Sequence, residues 1–292
     1  MTPKLSVVMS VKNHAHYLED SIKSILNQTF ADFELLIADD MSADNSYDIL
    51  NTMSKQDKRI KVFKNSNALG LTKTLNYLIS QSNSQYIARQ DADDMSYAER
   101  FENFIRTNKD KQLYTTNIEI LNGTASTFTN KNSEPYFVLF NFLFYYYFTG
   151  HGQLIFKKNL YNEKFKFCQD YELCSSFLRS DINCFNFNKG IDYIYRKHSN
   201  TIYKTHRSKQ IYYSLTTAKE NIKHFLHIDM PIHTVHQLRN FFLEHKPPTM
   251  DKTIFLILLK KIKSEFVSRY CNKGNIEQLD LFINDRINSV LC

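Results

Sequence analysis

The chain is predicted to be an α/β protein, with a mostly parallel central sheet flanked by helices and a mainly helical C-terminal extension. Three observations carry this. Strand-like and helix-like patterns alternate through the first hundred residues, and polar and acidic residues gather where the strand-like runs end. With 292 residues, 42% of them apolar, the chain can bury one substantial core or a core plus a subdomain. Only 6 glycines and 5 prolines occur, so no flexible linker or low-complexity tract is visible.

Leu5 to Val11 (LSVVMSV) reads as a buried strand, and Leu18, Ile22, Ile25 and Leu26 then fall at helical spacing. Phe33 to Ala38 is a second strand that ends at Asp39-Asp40, and Asn45 to Ser54 supplies a returning helix. A short strand at Ile60 to Phe63 precedes Leu71, Leu75, Leu78 and Ile79, again helical in period. A fourth strand, Tyr86 to Gln90, runs into Asp91-Ala92-Asp93-Asp94. Ligands of open α/β sheets bind outside the carboxyl ends of the strands, so Ser10-Val11, Asp39-Asp40 and Asp91 to Asp94 are expected along one edge.

Beyond residue 102 the pattern is less regular. Gln153 to Lys157 and Ile191 to Arg196 read as strands, and Asp170 to Leu178 as a short helix. From about Tyr203 the chain reads as helical, through Lys219 to Leu226 and Thr253 to Tyr270. The expected organisation is residues 1–202, divided into a nucleotide-binding half (1–102) and an acceptor-binding half (103–202), followed by helical residues 203–292. Phe137 to Phe148 is apolar but too short to span a bilayer, and is read as a core or interfacial helix.

Charge is divided unevenly. Residues 1–102 hold 11 Lys and Arg against 14 Asp and Glu, whereas residues 103–292 hold 26 against 16. An acidic half suits a cation site, and a basic half suits phosphates, lipid headgroups or simply solvent. No nucleic-acid-binding module is recognisable, so no nucleic acid partner is expected. The five cysteines form no CxxC pair, which points to reduced thiols in a cytoplasmic protein, and the N-terminus shows no signal-peptide pattern. Ile254 to Leu259 adjoins Lys260, Lys261 and Lys263 in a basic helix that fits either peripheral membrane contact or an ordinary core helix.

Neither GxGxxG nor GxxxxGK[ST] occurs, so phosphate charge would have to be met by a cation. Three carboxylates within Asp91, Asp93 and Asp94 repel one another unless compensated, and hard oxygen ligands favour Mg²⁺ or Mn²⁺. A solvated acidic turn is the plainer reading of those residues alone. Asp39-Asp40 suits a base N–H or ribose hydroxyls, and equally a helix cap. In Cys168-Gln169-Asp170-Tyr171-Glu172, either acid could act as a general base or cap the helix that follows. Arg196-Lys197-His198 is placed to donate to phosphate or to lie solvated at a strand end. His151 is a loop residue near a ligand or a structural histidine.

LSVVMSVKNHAHYLEDSIKSILNQTFADFELLIADDMSADNS, NALGLTKTLNYLISQSNSQYIARQDADD, HGQLIFKK, QDYEL and YRKHSNTI together resemble the family 2 glycosyltransferases, which have the GT-A fold. The resemblance spans roughly residues 4–202. It implies Ser10 and Asp40 near the nucleobase, with neighbouring Val11, Asn13 and Ala92, and Asp39 and Asp91 around the nucleoside. It further implies Asp93 as the main ligand of Mn²⁺ or Mg²⁺, Asp170 as catalytic base, and Arg196 and His198 near the diphosphate. Asp94, His151, Gln169 and Glu172 fall to supporting or acceptor roles. Met41 stands where a small glycine is usual, Lys12 where an aromatic is common, Gln169 where an acid often precedes the base, and Cys174 where Trp is frequent.

The resemblance implies an inverting transfer from a nucleotide-sugar, most commonly a UDP-sugar, to a hydroxyl of a glycan or lipid-linked oligosaccharide acceptor. A β-linkage results from an α-linked donor. A sugar-phosphate nucleotidyltransferase should carry a glycine- and lysine-rich first loop, which Val11-Lys12-Asn13-His14 does not offer. A non-catalytic carbohydrate-binding or scaffold protein would not need Asp93 and Asp170 together.

Overall fold

The computed structural model describes residues 3–148, 150–198 and 206–291. Its first half follows the predicted alternation: β1 (Leu5–Val11), α1 (Ala15–Leu26), β2 (Phe33–Asp39), α2 (Ser46–Gln56), β3 (Ile60–Lys64), α3 (Leu71–Gln81) and β4 (Tyr86–Arg89). β1 and β2 are buried along almost their whole length, as strands covered on both faces must be, which is why their sequences are continuous apolar runs. In α1, Leu18, Ile22 and Ile25 form the buried stripe. β4 stops at Arg89, because Gln90 turns its amide into the acidic segment that follows.

The second half continues with β5 (Met95–Ser96), α4 (Arg100–Thr107), β6 (Leu113–Asn122), β7 (Ala125–Phe128), α5 (Pro135–Phe142), β8 (Ile155–Lys157), α6 (Gln169–Ser180) and β9 (Phe185–Lys197). The sheet order is β3-β2-β1-β4-β8-β6-β9-β5, with β7 paired to β6. β1 to β4 pair in parallel, β8 runs antiparallel to both β4 and β6, and β6 and β9 are parallel. The short β5 pairs antiparallel with β9, setting Met95 opposite Ile194 and Ser96 opposite Tyr193. This is the contact that positions the site, since it lays the acidic turn after β4 against the end of β9.

Several expectations change in this half. The strand read at Gln153 to Lys157 is only Ile155–Lys157, and the one read at Ile191 to Arg196 starts as early as Phe185. Phe137 to Phe148 is helical only as far as Phe142, although Leu143, Phe144 and Phe148 remain buried beyond it. β6 left no clear periodic signal, because it is buried at its start and half-exposed at its end.

Among the described residues four further helices follow, α7 (Arg207–Leu226), α8 (Ile232–Arg239), α9 (Lys252–Tyr270) and α10 (Lys273–Leu291), with a π-helical turn at Asn240–Glu244. The boundary read near Tyr203 lies outside the described residues. In α9, Asp251 caps the first turn by accepting from Ile254 N at 3.0 Å, and Phe255, Leu259, Ile262 and Phe266 form the buried stripe. These helices share a core with α5. Phe140 meets Phe242, Phe266 and Phe282 at ring separations of 5.5, 5.1 and 6.3 Å, and Phe144 stacks on Phe242 at 4.5 Å. Phe140→Ala empties the centre of this aromatic joint and should cost about 3–5 kcal/mol. Chemical denaturation should then show one transition at lower denaturant, because the C-terminal helices and the sheet are stabilised by the same side chains.

Candidate active site

The ends of β1, β2 and β4 lie side by side, with Val11 in register with Asp39 and Val8 with Arg89. Their loops are tied together. Asn13, at φ 57°, donates its backbone N–H to Ser42 Oγ (3.0 Å) and accepts from Ala43 N (2.7 Å). His14 N donates to Ser46 Oγ at 3.1 Å and Ala15 N to Asp44 Oδ2 at 3.0 Å. Asn13 therefore latches one loop to the next. Met41 sits at φ 62°, a conformation that glycine takes without strain, which accounts for the glycine usual at this position.

Asp39 and Asp40 differ in what they can offer. Asp40 accepts from Asn65 Nδ2 (2.7 Å), Leu69 N (2.7 Å) and Gly70 N (2.9 Å), so both oxygens are committed to the loop before α3. Burial pushes its carboxyl up, but these hydrogen bonds and the Lys12 charge outweigh it and hold it below the usual range. Asp39 Oδ2 accepts from Ser42 N at 3.2 Å, whereas its Oδ1 is buried with no partner. A buried acceptor left unpaired costs about 1–3 kcal/mol, so Oδ1 favours an incoming N–H or O–H donor. Ser10, half-buried at the end of β1, and Val11 border this point.

The acidic turn after β4 is built around two buried arginines. Arg89 pairs with Asp91 at 2.5 Å, and its other nitrogen donates to the Gln90 carbonyl. Arg100 donates to the carbonyls of Arg89 (2.9 Å) and Gly152 (2.8 Å) and to Gln90 Oε1 (3.1 Å). The Gln90 amide donates to the carbonyls of Asp91 (3.2 Å) and Asp94 (3.0 Å), closing the turn over the buried Ala92. Asp94 is also buried, accepting from Tyr193 OH (2.9 Å) and Arg196 N (2.8 Å). Burial, with the charges of Asp93 and Asp91, pushes its carboxyl well up. Asp94 thus holds β9 against the turn.

Asp93 is half-buried, at 21% side-chain exposure against 27% for Asp91. His198 Nε2 lies 2.7 Å from its Oδ2, and His14 Nε2 lies 3.7 Å from the same atom. His198 stacks on Tyr17 (5.3 Å, 28°), and the Arg196 guanidinium lies 4.8 Å from the centre of the same ring. Among the described residues, no group of three or more His, Cys, Asp or Glu is arranged to hold a metal ion by itself. The Asp93 carboxylate offers a hard oxygen ligand that fits a divalent ion taking its remaining ligands from a diphosphate and water, as Mg²⁺ commonly does.

The first turn of α6 carries the second pair of acids, Asp170 and Glu172. Gln169 is buried there and Asp170 is half-buried, accepting from Tyr171 N at 2.9 Å. Burial pushes the Asp170 carboxyl up to about 6, with the Asp91 charge raising it further and hydrogen bonds and Arg89 opposing. That coupling places Asp170 within electrostatic reach of the acidic turn. Glu172 is used differently. It pairs with Arg179 at 2.6 Å and accepts from Thr217 Oγ1 at 3.1 Å, so the acid read as the rival base ties α6 to α7. His151 meets Tyr161 OH at 2.8 Å, and burial together with the Arg89 charge lowers its pKa to about 3, which keeps the ring neutral.

Sequence reasoning missed Tyr17, Arg89, Arg100, Tyr193 and Gly152. Arg89 left one signal, a cation at the end of an apolar strand beside three acids. Gly152 is one of only 6 glycines, and a Cβ there would collide with the Tyr193 hydroxyl and come within 2.9 Å of Asp91 Oδ2. Tyr17 and Tyr193 join the site only through folding.

A mixed sheet whose first four strands are parallel, with an acidic turn following β4 at their carboxyl edge and flanking helices, has the architecture of a GT-A glycosyltransferase. The family model described as glycosyl transferase family 2 matches residues 6–183, and the chain belongs to that family. An uncharacterised glycosyltransferase of Haemophilus influenzae is 25% identical, over 98% of this chain and 95% of its own length. The Escherichia coli UDP-Glc:α-D-GlcNAc-diphosphoundecaprenol β-1,3-glucosyltransferase WfgD is 30% identical, over 62% of this chain and 73% of its own. The crystal structure of residues 1–349 of Staphylococcus aureus TarS in complex with UDP-GlcNAc superposes with a TM-score of 0.60 at 15% identity, covering 90% of this chain and 81% of that one.

Glu172→Gln should lower stability by about 1–3 kcal/mol, because Arg179 loses its charged partner in a partly buried setting. Denaturation monitored by circular dichroism checks this. Sugar transfer per folded molecule should stay within about twofold of the parent.

Proposed function

We propose that the protein transfers a sugar from a UDP-sugar to a hydroxyl of a glycan or lipid-linked oligosaccharide, with inversion to a β-linkage. The observation that carries this reading is the contrast on α6. Asp170 has no ion-pair partner among the described residues and a carboxyl pushed up to about 6, while Glu172 two positions on is fully engaged. A base poised near neutrality can take a proton from an acceptor hydroxyl as that oxygen attacks the anomeric carbon. The acceptors and donors in the names of the matched relatives support the choice of substrates, and the transferred sugar is a hexose or N-acetylhexosamine on the same grounds.

On this reading Asp39 Oδ1 receives a nucleobase or ribose donor, with Ser10 and Val11 beside it. Arg196 and His198 lie along the diphosphate, and Asp93 holds Mn²⁺ or Mg²⁺. When bound, the ion supplies charge compensation for the departing nucleotide. Asp91 and Asp94 shape the turn that presents Asp93. Asp170 accepts the proton, and the single displacement sets the inverted configuration.

Among the described residues no helix is long and apolar enough to cross a membrane. The outer face of α9 nevertheless exposes Ile254 (58%) and Ile257 (65%) beside the exposed Lys260 and Lys261. Apolar side chains flanked by lysines favour peripheral contact with an anionic bilayer surface, where a lipid-linked acceptor would be met.

Asp170→Asn should reduce transfer about 10²–10⁴-fold and leave metal-dependent UDP binding intact, whereas Asp93→Ala should lose that binding. In the parent, turnover should fall as pH drops through about 6, because the base is then protonated. Calorimetry of UDP with and without Mn²⁺, beside a pH profile of transfer, reads both. Near-normal turnover in Asp170→Asn would overturn the assignment.

Sedimentation with vesicles containing anionic phospholipid should show binding that weakens with added salt and is lost in Ile254→Ser/Ile257→Ser. Absence of binding at low ionic strength would refute the membrane contact.

A further inference from the structure

The residues at the end of β9 are held by a helix that no sequence motif connects to them. α1 presents Tyr17 and Asp20 one turn apart, hence on one face. The Tyr17 ring stacks on His198 at 5.3 Å and 28°, and the Arg196 guanidinium lies 4.8 Å from its centre. Asp20 Oδ2 lies 3.7 Å from Arg196 Nη2. His198 in turn reaches Asp93 at 2.7 Å. One aromatic ring therefore meets both side chains that would meet a diphosphate, and leads through His198 to the carboxylate at which a divalent ion fits.

We propose that Tyr17, assisted by Asp20, is a positioning residue that sets Arg196 and His198 for a nucleoside diphosphate and keeps His198 against Asp93; this rests on the nucleotide-sugar reading above. The physical reason is the cost of ordering long polar side chains. An arginine free at a strand end loses rotamer freedom when it binds phosphate, and an aromatic surface that already holds the guanidinium removes part of that loss before the ligand arrives. Cation–π attraction and ring stacking both need the ring face, and neither needs the phenol hydroxyl. Asp20 is largely exposed, so its ion pair adds direction more than strength.

The test is calorimetric titration of the full chain with UDP, and with GDP as a second probe, in the presence and absence of Mn²⁺. Tyr17→Phe should bind within about twofold of the parent, because the ring remains. Tyr17→Met, which keeps apolar bulk without a ring face, should bind about tenfold more weakly in the presence of Mn²⁺. It should also need a higher Mn²⁺ concentration for half-maximal binding. Asp20→Lys, at an exposed position that cannot disturb the core, should weaken binding two- to threefold by repelling Arg196. Thermal melts of all three confirm folding. Binding by Tyr17→Met and Asp20→Lys as tight as the parent would overturn the inference and leave the donor reading standing. A parent chain that binds neither nucleotide would overturn both.

Discussion

Three carboxylates in a four-residue turn have to be compensated, and much of the surrounding structure is the means by which that is done. Asp91 has the guanidinium of Arg89, Asp94 has Tyr193 and the backbone of Arg196, and Asp93 has His198. Each partner comes from a different distance along the chain. Like charges this close repel strongly in a buried setting, so the turn holds its shape only while those partners are in place. The pairing of β5 with β9 brings the second set of partners within reach, and Gly152 leaves the room they need. The same arrangement buries Asp94 and leaves Asp91 and Asp93 half-buried, with Asp91 held by Arg89 and Asp93 by His198.

The two acids of α6 show how environment, more than residue type, divides roles. Both stand in the first turn, where the helix dipole favours negative charge. Asp170 has no ion-pair partner among the described residues, and burial raises its proton affinity. Glu172 faces α7, where Arg179 and Thr217 satisfy it. A helix places residues two apart on different sides, so Asp170 and Glu172 meet different neighbours.

The C-terminal helices contribute at one remove. Their phenylalanines interlock with α5, the segment that also packs against α6 through Phe142 and Tyr171, ring centres 5.7 Å apart. Tyr171 OH and the Asn221 amide both donate to the Phe142 carbonyl, at 2.6 and 2.7 Å. The helix bearing Asp170 is thus held between α5 and the C-terminal helices, which fixes the position of its first turn.

The first hundred residues were legible because a sheet buried on both faces demands continuous apolar runs, and because crossover helices show their stripes locally. Asp39, Asp40, Asp91 and Asp93 could be placed at one edge for the same reason: the ends of parallel strands converge whatever the side chains are. β6 and the first half of β9 were obscured by mixed burial along their lengths, and α10 by a weakly patterned surface. Which acid is committed and which is available was beyond local reading. Asp40 and Asp39 look alike in sequence, yet only the loop bearing Asn65 and Gly70, folded back over β2, decides that Asp40 is consumed and that Asp39 keeps an open acceptor. Tyr17 joins the site because α1 crosses the end of a strand about 180 residues later in the chain. Sequence alone determined the fold class and the chemistry at hand, since both follow from periodicity and residue type. Tertiary structure decided which of those groups has a partner, because hydrogen bonds and desolvation depend on neighbours that only folding supplies.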